Sequence, residues 1–112
     1  MAGTFTIVGL GEAVFDMFPE RQVLGGTSLN VAVQAHQLLA PLSGNGGRGV
    51  LLSRIGDDAL GARLQTEFRA RDLPLDFVQI DDTKPTGQVL VSFVDGAPSY
   101  EIVMDTAWDH LQ

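Results

Sequence analysis

Cysteine is absent from the 112 residues. That removes disulfides, thiolate metal sites and a cysteine nucleophile, and it fits a reducing compartment. Basic residues are scarce: seven Lys and Arg stand against fourteen Asp and Glu, for a formal net charge of −7. A nucleic-acid binder needs a basic footprint to neutralise phosphates, and an anionic membrane surface needs clustered Lys and Arg. Neither partner is expected. Long apolar runs are missing too, since none approaches the ~18 residues that cross a bilayer. Glu12 and Asp16 interrupt the one early apolar stretch, and the opening Met1-Ala2-Gly3-Thr4 has no basic n-region. A cytoplasmic location is therefore expected. His36 and His110 stand far apart without ligand spacing, so a helix-surface residue and a tail residue are expected rather than a metal site.

What is present is ordinary globular material, 45% hydrophobic and 19% charged. Phe5–Leu10 reads as a short strand buried on both faces. Ala13–Phe18 is a second extended piece, closed by Pro19-Glu20. Gly25-Gly26-Thr27-Ser28 opens a helix that Thr27 or Ser28 can cap, with Val31, Ala32, Ala35 and Leu38 or Leu39 on its apolar face. A glycine-rich loop, Ser43–Gly49, leads to a strand over Gly49–Ile55. Asp57-Asp58 can cap a helix over Ala59–Arg71 with Leu60, Leu64 and Phe68 on one face. Phe77–Ile80 is a further core strand. Gln88–Val94 and Ser99–Met104 form a hairpin around Asp95-Gly96-Ala97-Pro98, and Thr106–Gln112 opens a last helix or turn. Strands alternating with helices imply an α/β fold with a parallel sheet and right-handed crossovers. The two extended ribbons do not belong in that sheet, so they are expected to form a separate β-lid. Two helices leave one face of a three-stranded parallel sheet poorly covered.

Glycine motifs need sorting. Gly9-Leu10-Gly11 lacks the third small residue of a dinucleotide fingerprint, because position 14 is Val, and no helix follows it. Gly44-Asn45-Gly46-Gly47-Arg48-Gly49 matches G-x-G-x-x-G but follows a helix and precedes a strand, the reverse of the required order. Gly25-Gly26-x-x-x-Asn30 is more informative. Paired glycines let backbone approach a ligand, a helix start offers free N–H groups, and Asn30 can both donate and accept. Taken alone, the motif is better read as an ordinary glycine turn with a surface Asn. Asp16 lies among the large apolar residues of Val14-Phe15-Asp16-Met17-Phe18. It faces away from Phe15 and Met17, either towards solvent or towards two adjacent hydroxyls of a polyol.

Four blocks in order then carry a resemblance: Gly11-Glu12-Ala13-Val14-Phe15-Asp16, Gly25-Gly26-Thr27-Ser28-Leu29-Asn30-Val31-Ala32, Ile55-Gly56-Asp57-Asp58-Ala59-Leu60-Gly61 and Pro85-Thr86-Gly87. They resemble the opening half of ribokinase-like (PfkB-type) carbohydrate kinases. Pro98-Ser99-Tyr100-Glu101-Ile102 with Ala107-Trp108-Asp109 is most similar to fructokinase-like members. The resemblance implies a ribokinase-like parallel sheet flanked by helices with a small β-lid, incomplete in this chain. Residues 1–112 would be the amino-terminal part of one domain, with lid segments at about 13–24 and 88–104 and core segments at about 5–10 and 27–80. It also implies ATP and Mg²⁺ as cofactors and a sugar as the small-molecule partner. Asp16, Gly26, Thr27 and Asn30 take the positions that hold the sugar. The family's Gly-Ala-Gly-Asp segment, which supplies the anion hole and catalytic base, has no counterpart here. No catalytic, cofactor-binding or metal residue is therefore assigned, and the chain alone is expected to lack kinase activity. Three readings stay open: a kinase of fructose or a related ketose, a nucleoside kinase of the same fold, and a non-catalytic sugar-binding module. The last would pair as a homodimer through a lid face of Val89, Val91 and Phe93.

Overall fold

The computed structural model describes residues 5–41 and 47–112. In chain order the elements are β1 (Phe5–Leu10), β2 (Val14–Met17), β3 (Gln22–Gly25), α1 (Thr27–Leu39), β4 (Gly47–Gly56), α2 (Ala59–Ala70), β5 (Val78–Asp81), β6 (Gly87–Val94) and β7 (Ala97–Ile102). A 3₁₀ turn over Ala107–His110 follows. Of the glycine-rich loop and its fingerprint-like run, residues 43–46 lie outside the described residues, whereas Gly47, Arg48 and Gly49 already belong to β4, which begins two residues before the expected Gly49.

Two sheets result. β1, β4 and β5 form a parallel sheet in the order β1-β4-β5. The early ribbon and the later hairpin join edge to edge in a second sheet, ordered β3-β2-β6-β7, in which β2 runs parallel to β6 and the outer pairs are antiparallel. Phe15, Leu29, Ala32, Leu51, Ile55, Leu64, Phe68 and Leu73 make one buried cluster. Phe15 comes from the second sheet, so the same core holds both layers. Each fully buried large side chain in such a cluster contributes about 1.5–3 kcal/mol.

The hairpin turns more tightly than its sequence suggests. Val94 pairs with Ala97, which leaves only Asp95 and Gly96 in the turn, both with positive φ. This primed geometry matches the right-handed twist of the flanking strands.

Four expectations need correction. β1 is not buried on both faces: Ile7 is 42% and Val8 48% exposed, and Phe5 and Leu10 are exposed as well. Among the described residues β1 pairs only with β4, so it is an edge strand. The buried line of α1 runs through Leu29 and Ala32, whereas Val31 is exposed and Leu38 is 72% exposed. Bare glycines on the strands beneath set that rotation. A Cβ at Gly9 would stand 3.2 Å from Ala32 Cβ, and one at Gly49 would stand 2.6 Å from the His36 backbone nitrogen. The helix sinks where the sheet has no side chains. His36 is accordingly half-buried rather than a helix-surface residue. Its Nδ1 accepts from the Gly49 amide at 3.2 Å, which leaves Nε2 to donate to the Asp72 carbonyl at 3.1 Å. Finally, Val89, Val91 and Phe93 do share one face of β6, but Val91 is only 5% exposed and the three do not form an open stripe.

α2 begins as expected on Asp58, whose Oδ1 accepts from the Gly61 amide at 2.8 Å. The same carboxylate accepts from the Thr86 amide at 2.8 Å and the Thr86 hydroxyl at 2.6 Å, tying the start of β6 to the start of α2. Nearby, Asp81 pairs with Arg54 at 2.9 Å and accepts from the Thr83 and Lys84 amides. Burial pushes the Asp58 carboxyl up, but the Thr86 and Gly61 hydrogen bonds outweigh it and hold it below its ordinary 3.8. The Arg54 guanidinium, with the two amides, holds Asp81 far lower still.

Both folded values lie below the unfolded one. Their contribution to stability is therefore present above about pH 4 and is lost as pH falls through the folded values. The melting temperature should stay level from pH 7 to 5 and drop below pH 4. Asp81→Asn should lower it at pH 7 and flatten the acid limb in thermal circular dichroism. An acid limb as steep as that of the parent would contradict this role for Asp81.

Candidate functional site

Strand alternation places the first site residue. On β2, Phe15 and Met17 pack towards the core, so Val14 and Asp16 face the other way. Register then sets their neighbours: Asp16 lies beside Val89 of β6, and Val89 lies beside Ile102 of β7. The Asp16 carboxylate also lies over Gly25 on β3, where a Cβ would come within 3.1 Å of Oδ2. Gly25 thus leaves the space that the carboxylate occupies. Among the described residues no hydrogen bond or ion pair engages Asp16.

Gly26 turns the chain from β3 into α1 with φ of 110°, a backbone conformation that favours glycine. A side chain there would also come within 2.9 Å of the Glu12 carbonyl oxygen. The helix is capped neither by Thr27 nor by Ser28. The Glu12 carboxylate, from the loop between β1 and β2, accepts from the Ser28 amide at 3.0 Å. The Ser28 hydroxyl donates to the Leu10 carbonyl at 2.8 Å, which pins the same loop. An anion suits this position because the helix dipole is positive there, and the Thr27 side chain is left free of a capping role.

These residues surround a cavity of about 320 Å³ lined by Glu12, Val14, Asp16, Gly26, Thr27, Val89, Ile102 and Trp108. Two carboxylates and a helix start are its polar lining. Val14, Val89, Ile102 and Trp108 are its apolar lining. Asp16, Gly26 and Thr27 are thus brought together. Asn30 is not among the lining residues. It is exposed and borders a neighbouring groove between α1 and α2, beside Gln34, Arg63 and Phe68.

Among the described residues no three His, Asp or Glu side chains cluster so as to hold a metal ion. No helix among them is long and apolar enough to cross a membrane.

Comparison with known proteins decides the family. Residues 11–107 match the model described as pfkB family carbohydrate kinase. The chain belongs to the pfkB family of carbohydrate kinases. A fructokinase of Escherichia coli is 29% identical over 90% of this chain and 36% of its own length. Among solved structures, fructokinase from Halothermothrix orenii superposes with a TM-score of 0.74 at 26% identity, covering 96% of this chain and 40% of that one. A fructokinase from Xylella fastidiosa with bound ATP gives 0.71 at 27% identity, covering 96% and 33%. The chain therefore spans about a third of the length of the relatives it matches, and its α/β architecture is that of these ribokinase-like proteins.

Sequence reasoning singled out Asp16, Gly26 and Thr27 but gave no role to Glu12 or Trp108, which line the same cavity. A signal existed for each. Glu12 is an acid directly after Gly11, between two extended pieces. Trp108 is the only tryptophan in the chain.

Proposed function

We propose that this chain forms the sugar-binding side of an ATP-dependent carbohydrate kinase that phosphorylates a hydroxyl of fructose or a related ketose. One observation carries the reading. In a chain of this family, a carboxylate with no partner among the described residues faces a cavity of about 320 Å³ whose lining is part polar and part apolar. A sugar has matching surfaces, hydroxyls on its edge and C–H groups on its faces. In this reading Asp16 accepts hydrogen bonds from two adjacent hydroxyls, which are charge-assisted and therefore strong. Gly26 lets backbone approach the sugar, and the Thr27 side chain borders it. The resemblance adds Asn30, one turn further into α1. The β3-β2-β6-β7 sheet acts as the lid that shuts water out. ATP and Mg²⁺ are the implied cofactors, held by residues other than those assigned here. Their chemistry is transfer and charge neutralisation of the γ-phosphoryl group, and the compartment is the cytoplasm.

Calorimetric titration of the chain with fructose, other ketoses, aldoses and nucleosides tests the reading. Saturable fructose binding without sugar-dependent ATP turnover is expected. Preference for a nucleoside would favour the nucleoside-kinase alternative, and the absence of any sugar binding would overturn the reading. A second reading, pairing of two copies through the second sheet, draws on β7, which is exposed along its whole length and carries Tyr100 and Ile102. Light scattering on the purified chain separates a dimer from a monomer.

A further inference from the structure

We infer that Trp108 is the platform on which the face of the sugar ring rests, so that this site favours cyclic sugars over open-chain polyols. The inference rests on the sugar-site reading above and assigns the apolar half of that cavity. The register row Asp16–Val89–Ile102 crosses the sheet floor, and the adjacent row pairs Val14 with Gly87. Gly87 has no side chain there, and the Trp108 indole fills the vacancy. A Cβ at Gly87 would lie 2.7 Å from Trp108 Cδ1.

Several contacts from outside the sheet hold the indole in place. The Ala107 amide donates to the Pro85 carbonyl at 2.7 Å, and the Thr106 amide donates to Asp109 at 3.1 Å. Lys84 and His110 both bind Asp105 just before the turn, at 2.7 and 2.6 Å. The ring is thus ordered before any ligand arrives, which lowers the entropy cost of using it. Its Nε1 is buried and has no partner among the described residues. The part of the indole left to meet the cavity is therefore carbon. A flat carbon surface facing a hydroxyl-binding edge suits a ring that presents C–H groups on one face and hydroxyls on its rim. An open-chain polyol must first freeze several rotors to present such a face.

Because Trp108 is the only tryptophan, its emission reports on the site directly. The test titrates the chain with fructose and with sorbitol, following intrinsic fluorescence and heat in parallel. A saturable emission change on the calorimetric isotherm is expected for fructose, with sorbitol at least about tenfold weaker. Trp108→Phe keeps a flat carbon surface and should bind fructose within about threefold of the parent by calorimetry, while Trp108→Ala weakens it about tenfold. If Trp108→Ala fails to fold, the emission change in the parent and the calorimetric affinity of Trp108→Phe still decide. Fructose binding with unmoved emission and equal affinity for sorbitol would overturn the platform and leave the sugar site standing. No binding of any sugar would overturn both.

Discussion

Asp16→Ala should weaken sugar binding by the chain by about a hundredfold or more while leaving the fold intact. Hydrogen bonds to a charged acceptor contribute about 1.5–3 kcal/mol each, and the proposed geometry uses two. Their loss corresponds to a factor of about 10² to 10⁴ in affinity. Stability should not follow, because Asp16 holds no internal partner among the described residues and faces the cavity rather than the core. Calorimetry with fructose and a thermal melt on the same variant separate the two effects. Asp16→Asn should fall between, since an amide still accepts but carries no charge. Parent-like affinity in Asp16→Ala would make Asp16 a surface acid with no role in binding.

Phe15→Ala should be the most damaging single change, at about 3–5 kcal/mol. Phe15 is fully buried, and the Arg63 guanidinium carbon stands 5.2 Å from its ring centroid. More important is where the ring comes from. It projects from β2 of the second sheet into a cluster built mainly by α1, β4, α2 and the loop after it, where Ala13, Met17 and Leu24 are the smaller contributions from its own side. Removing it leaves a cavity at the join between the two layers. Against a typical total stability of 5–15 kcal/mol, the chain would be marginal at 25 °C. Sugar binding should fall as well, since β2 also carries Asp16. Urea unfolding measures the loss, and a value under about 1 kcal/mol would mean that the second sheet is not anchored through Phe15.

The elements and the site differ in how much of them could be read from residues alone. Alternation in Val14–Met17 and the spacing of Leu60, Leu64 and Phe68 are local patterns, and the strand and helix they announce are where they should be. Asp58 as a cap is local too. The rotation of α1 is not, because it depends on Gly9 and Gly49, which flank the helix in sequence and meet it only after folding. The edge position of β1 depends on strand order, which an apolar run does not encode. The cap of α1 comes from Glu12, sixteen residues before Ser28, while the two better-looking caps, Thr27 and Ser28, lie inside its first turn. Trp108 reaches the Asp16 cavity from the far end of the chain through a gap left by Gly87. In each case the deciding partner is remote in sequence, and propensity carries no information about it.

The central claim is that the cavity between Asp16, Gly26 and Thr27 on one side and Val89, Ile102 and Trp108 on the other takes the sugar. Two-dimensional amide NMR of the ¹⁵N-labelled chain, titrated with fructose, tests it most directly. Shifts concentrated at Asp16, Gly26, Thr27, Val89 and the Trp108 indole are the predicted result. Shifts confined to the groove of Gln34, Gln37 and Arg71, or no shifts at saturating fructose, would contradict it.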